Sequence, residues 1–141
     1  MGYGYWVIFQ FRRGKQRQSY AMYLYHGAGG GGGTTRGIGK TVRRAAIYPD
    51  ADIVMGGHIH EGWSLPMKRF RISKSDKLYQ DTQWHITTPT YKDEFADGHG
   101  GWAVEKELPP KPLGCYWIRF YWYEGRFHMK PIPEMLDRHN V

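Results

Sequence analysis

A single cysteine, Cys115, stands in the 141 residues, so no internal disulfide can form and the chain is not a disulfide-stapled scaffold. A lone thiol suits a reducing, cytoplasmic setting. No stretch approaches the roughly 20 consecutive apolar residues that a membrane-spanning helix needs, so the sequence predicts no membrane partner. The opening MGYGYWVIF carries no basic leader, and Trp6 occupies the position where a myristoylation signal places Ser or Thr. Met1 runs almost directly into an apolar strand pattern, an abrupt start that predicts a further segment or a partner ahead of it. Carboxylates are scarce too. Thirteen Asp and Glu against 20 Lys and Arg give a formal charge of +7, which favours anionic partners such as phosphate esters or nucleic acid.

Aromatic residues are plentiful, with 6 Trp, 11 Tyr and 6 Phe, a composition that suits pleated, half-buried sheet. Hydrophobic content of 40% and charged content of 23% are those of a folded chain, and the length predicts one domain over 1–141 without internal repeats. Tyr5 to Phe11 and Ser19 to His26 read as two strands joined by a charged turn from Arg12 to Gln18. That turn is either a solvated loop or a set of phosphate-backbone contacts made by Arg12, Arg13, Lys15 and Arg17.

The chain's most informative stretch is DIVMGGHIH, Asp52 to His60, read together with the upstream YLYHG that carries His26. Ile53, Val54 and Met55 form an apolar run that stops at Gly56 and Gly57 and then presents His58 and His60, the pattern of a buried strand opening into a ligand-bearing loop. In extended backbone, residues two apart point the same way with Cα atoms roughly 6.5 Å apart. On a helix they diverge by about 200°. Two imidazoles spread along one extended loop suit a pair of ions held roughly 3.5 to 4 Å apart.

Between His26 and this strand lies GAGGGGGTTRGIGKTVRR. Gly39, Lys40 and Thr41 end it as a phosphate-binding P-loop would, but that motif needs glycine five positions before Gly39, where Thr34 stands, so the register fails. A helix is predicted from about Gly39 to Ile47, its Lys40, Arg43 and Arg44 serving either as phosphate-attracting groups at its positive end or as a wet face. Beyond His60, Trp63–Pro66 and Lys68–Ile72 read as short β segments. Tyr79–Thr88 reads as a further strand, core by its pattern, in which His85 is a packed or surface histidine and not a ligand. Residues 89–112 read as a long irregular loop, where Asp97 and His99 show a D-x-H spacing that metal sites use and that chance also produces in glycine-rich sequence. Leu113–Tyr123 and Arg126–Ile132 flank a Glu124-Gly125 hairpin turn, and residues 133–141 read as a frayed tail.

A strand ending in histidine, a glycine-bearing loop and helix, and a strand ending in G-H-x-H followed by antiparallel strands is an order that resembles the C-terminal half of the calcineurin-like metallophosphoesterase family. The TQWHITTPTY and PPKPLG stretches are similar to versions from tailed bacteriophages, and the likeness covers roughly Trp6 to Tyr123. It implies an α/β (α+β) chain, mostly β-strands with one main helix, forming half of a layered sandwich. It further implies that His26 and His58 bind one divalent ion (Mn, Fe or Zn) and His60 a second. The family's N-terminal half supplies D-x-H, G-D-x-x-D and G-N-H-[DE]; the last two strings occur nowhere here, and Asp97 to His99 follows GHIH instead of preceding it. Two divalent ions repel strongly without an anionic bridge, and three neutral imidazoles hold at most one of them well. The resemblance therefore implies a phosphoesterase half that is weak or inactive until the missing N-terminal half, or a partner chain carrying it, is supplied. Two other readings fit the residues: a mononuclear zinc hydrolase with His26, His58 and His60 around one ion, and a basic, aromatic β-rich module that binds nucleic acid.

Overall fold

The computed structural model describes residues 4–28, 34–92 and 105–136. The elements are β1 (Gly4–Arg13), β2 (Gln16–Tyr25), a 3-10 turn over Ile38–Lys40 running into α1 (Thr41–Ile47), β3 (Ile53–Gly56), β4 (Trp63–Ile72), β5 (Leu78–Thr87), β6 (Leu113–Tyr123) and β7 (Arg126–Leu136). Five strands form one sheet in the order β1-β2-β3-β5-β4, and β6 and β7 form a separate two-stranded ribbon. The result is an α+β fold, as expected. Among the described residues no helix is long and apolar enough to cross a membrane.

β3 is the centre of the sheet and runs parallel to β2 on one side and β5 on the other. Its brevity and its apolar sequence follow from that position, since both faces are covered and Ile53 and Val54 retain at most 1% exposure. On one face Ile53 packs with Met22 and Ile86, and around them stand Val7, Phe9, Leu24, Met55 and Trp84 from the sheet and Tyr116, Ile118 and Met129 from the ribbon. The seam continues outward as an aromatic stack in which Phe120 meets Phe9 at 5.0 Å and Phe11 at 4.7 Å between ring centroids. Gln18 and the Tyr20 hydroxyl both donate to the Phe127 carbonyl, and the Phe127 N–H returns a bond to Gln18.

The opposite face carries α1 and Tyr48, whose ring stacks on Tyr23 at 3.9 Å. Its polar core is self-satisfied at one end. Gln83 Nε2 donates to the carbonyls of Tyr48 and Ala51, so its Oε1 is left to accept, and His85 Nε2–H supplies that bond at 2.9 Å. The tautomer this requires leaves His85 Nδ1 buried without a partner. Burial, reinforced by the charges of Arg44 and Arg69, lowers the His85 pKa from 6.5 to about 4, so the ring is neutral.

Several boundaries differ from those read in the sequence. The turn between β1 and β2 is only Gly14 and Lys15; Arg12 pairs with Arg17 and Arg13 with Gln16, so the predicted charged loop is mostly strand. β4 is one strand through Pro66, because it lies at the sheet edge and Pro66 faces solvent, where the missing N–H breaks no ladder bond. The frayed tail expected from Pro133 is instead ordered through Leu136, with Pro133 opposite Tyr116 and Glu134 opposite Cys115. β7 has a neighbour on one side only, so prolines at alternate positions 131 and 133 are compatible with pairing. Residues 137–141, the centre of the glycine run at 29–33, and Asp97 and His99 lie outside the described residues. The two ends of the 89–112 excursion are tied together where Thr90 donates to Pro112 O and Gly114 donates to Thr90 O, each at 3.0 Å.

Candidate metal centre

Because β2, β3 and β5 are parallel, their carboxyl ends fall in one row: Tyr25 lies beside Gly56, and Gly56 beside Thr87. Crevices at such strand ends are where open α/β sheets place ligands. One residue past that row stand His26 and the GHIH turn. The Gly57 N–H donates to His26 O at 3.2 Å and the Thr88 N–H to Gly56 O at 2.9 Å, which clamps the two loops edge to edge.

Gly27 leaves β2 at φ 99°, and a Cβ there would meet Gly57 O at 2.9 Å and His58 Cβ at 3.0 Å. A side chain at that position would drive the loops apart and with them the two imidazoles. His58 and His60 themselves adopt φ of 69° and 55°. Histidine tolerates this left-handed region better than most residues, yet two such residues in one turn hold on the order of 1–3 kcal/mol of strain each, a feature that concentrates at functional sites. The extended geometry predicted for this stretch is therefore corrected. Ile59 donates to Gly57 O at 2.9 Å, closing a tight turn, and its side chain abuts Gly37, where a Cβ would stand 2.5 Å from Ile59 Cδ1.

The outcome is a close histidine pair of a different composition from the one strand alternation implies. His58 Nδ1 lies 3.3 Å from His26 Nε2, with the rings edge to face at 5.2 Å between centroids. Both rings are solvent-exposed, so a ligand reaches them from outside. Two imidazole nitrogens at the 2.0–2.1 Å typical of zinc ligation, subtending a tetrahedral angle, stand about 3.3 Å apart. The observed pair thus fits two sites on one tetrahedral ion, which would take the place of the proton the nitrogens share. His60 is half-buried two residues further on. Among the described residues no group of three or more His, Cys, Asp or Glu is gathered as a metal cage.

Cations dominate the surroundings. Lys40 Nζ donates to Ala28 O at 3.2 Å, and the Arg44 guanidinium lies 4.5 Å over the ring of Tyr25, whose pKa burial pushes up against that charge. Arg43 faces solvent. The nearby carboxylate is Glu61, its side chain only 10% exposed, which binds Lys111 and sits 3.9 Å from Arg36. Trp63 Nε1–H donates to Arg36 O at 2.9 Å and holds that segment down. Glu61 was not singled out from the sequence, although it directly follows GHIH; its partner Lys111 is 50 residues away and nothing local announces it. The two imidazoles therefore suit one divalent ion, and the cations around them suit an anionic ligand better than a second metal. Searches of protein-family models, curated proteins and solved structures found no match to this chain.

Proposed function

We propose that this chain is the histidine-bearing half of a calcineurin-like, metal-dependent phosphoesterase, acting on phosphomonoesters or phosphodiesters when a carboxylate-bearing half or partner chain completes it. What carries the reading is the 3.3 Å approach of His26 Nε2 and His58 Nδ1 at the carboxyl ends of neighbouring parallel strands. In this account His26 and His58 hold one ion, and His60 is offered to a second that only the completing half can retain. A bound divalent ion of the Mn, Fe or Zn class supplies charge to polarise a phosphoryl oxygen and to activate water. The chain's own residues present two imidazoles edge to face and set Lys40, bonded to Ala28 O, and Arg44, over Tyr25, next to His26, where their charge draws a phosphate group in.

The reading is tested by inorganic phosphate binding to the full chain with and without manganese. Phosphate binding that requires the metal and disappears in His58→Ala, with negligible ester hydrolysis by the chain alone, is the expected result. Hydrolysis by the isolated chain that survives His26→Ala and His58→Ala contradicts it. One tightly held ion with full activity in the isolated chain favours the mononuclear three-histidine hydrolase instead.

A further inference from the structure

Independently of the histidine pair, we propose that the solvent face of the β6–β7 ribbon binds single-stranded nucleic acid. Strand alternation turns Tyr116, Ile118 and Phe120 inward onto the sheet and leaves Trp117, Arg119, Tyr121 and Tyr123 outward. Across the ladder the outward partners are Ile132 opposite Trp117, Lys130 opposite Arg119, His128 opposite Tyr121 and Arg126 opposite Tyr123. The face is thus a flat strip on which rings and cations alternate. Trp117 is 62% exposed and Tyr123 57%, a large aromatic surface for strands that already bury a full inward set. Tyr121 and His128 are stacked at 5.4 Å, and the Arg119 guanidinium lies 5.5 Å over Tyr121, so these side chains are held together on the strip beside the more exposed Trp117 and Tyr123.

Charge selects the occupant. At the β4–β5 edge arginines are neutralised at home: Arg69 bridges Asp81 and Asp52, and Arg71 bridges Asp50 and Asp81. Among the described residues Arg119, Arg126 and Lys130 have no carboxylate partner. At the end of the ribbon, on its inner side against the β1–β2 hairpin, Arg13 lies 4.6 Å over the Trp122 ring and a cleft of about 250 Å³ lined by Arg17, Trp122 and Arg126 adds further cations beside the strip. Cations without a carboxylate partner among the described residues, set beside exposed Trp117 and Tyr123, match a strand of unpaired bases, with bases stacking on the aromatics at roughly 1–3 kcal/mol each and phosphates meeting Lys and Arg. A duplex hides its base faces, and an acidic peptide has no use for the rings.

Fluorescence anisotropy with a labelled 15-mer of oligo-dT, the same-length duplex and the full chain tests the assignment. Single-strand binding that exceeds duplex binding is expected, weakened roughly tenfold by Trp117→Ala and again by Tyr121→Ala. In Arg119→Gln with Lys130→Gln the slope of log K against log salt should shrink by about 1.4, near 0.7 per cation removed. His58→Ala leaves binding unchanged. Because these side chains point to solvent, circular dichroism should report intact folding in each variant. Four results overturn the proposal: no binding at 50 mM salt, tighter binding to duplex, affinity indifferent to the aromatic variants, or self-association that Trp117→Ala abolishes, which would make the face a contact between two copies.

Discussion

The β4–β5 edge of the sheet and the β6–β7 ribbon treat charge in opposite ways. In the five-stranded sheet Arg69 is anchored on every side, donating to both carboxylate oxygens of Asp81 at 2.8 Å and to the carbonyls of Pro49 and Ala51. In the ribbon, Arg119 lies over Tyr121 and Arg126 donates to its neighbour His128, with no acid engaged among the described residues. The sheet is finished internally and derives its stability from burial and satisfied polar groups; the ribbon uses its inner face for stability and keeps its outer face for something else. Substitutions should therefore separate cleanly into those that unfold the protein and those that leave it folded and change what it holds.

The sharpest separation is expected at Ile53, which is fully buried in the central strand. Ile53→Ala should lower the unfolding free energy by about 2–5 kcal/mol in urea titrations, a loss that includes the cavity left behind. A value under 1 kcal/mol would mean that β3 is not the core. Next, Arg69→Leu removes the bidentate partner of the half-buried Asp81 and leaves it only Arg71, at 3.8 Å, among the described residues, so about 1–3 kcal/mol should be lost, whereas Arg126→Leu should change stability by less than about 0.5 kcal/mol. Equal losses at both positions would erase the contrast between the layers.

Acid sharpens the comparison further. In the unfolded chain His85 titrates near 6.5, and in the folded protein at about 4. As pH falls the unfolded chain takes up this proton first, so stability is lost between about pH 6.5 and 4 and levels off below; the separation corresponds to roughly 3 kcal/mol. Asp52, whose pKa is raised mainly by burial, acts with the opposite sign. The informative measurement is thus the difference between the wild type and His85→Gln, which should remove the drop in that window. A variant whose pH profile parallels the wild type would show that His85 is not the group responsible. The smallest effect is expected for Trp117→Ala, within about 0.5 kcal/mol of wild-type stability, and chemical denaturation checks that too.

Much of this architecture was legible from local pattern. The buried β3, the strand ending at His26 and the hairpin at Glu124-Gly125 all followed from apolar runs and turn residues; the pattern puts His85 in a strand, and burial decides that it is packed and not on the surface. What escaped was decided by partners distant in sequence. Pro133 looks like a terminator until β6 is seen opposite it, and Arg12 and Arg17 look like loop residues until the ladder pairs them. At the candidate site the argument from extended backbone joined His58 to His60, whereas the left-handed turn at both residues and the close approach at Gly27 bring His58 against His26. Backbone conformations with positive φ at histidine leave no mark in composition or spacing. The Glu61–Lys111 pair spans a loop that no short-range rule connects.

The histidine pair itself is open to one direct measurement: zinc titrated into the full chain while the imidazole resonances are followed by NMR. The account predicts that the signals of His26 and His58 shift together and saturate at one ion per chain, and that His26→Ala removes the response of His58. Zinc that leaves both rings unmoved, or that shifts one without the other, contradicts it.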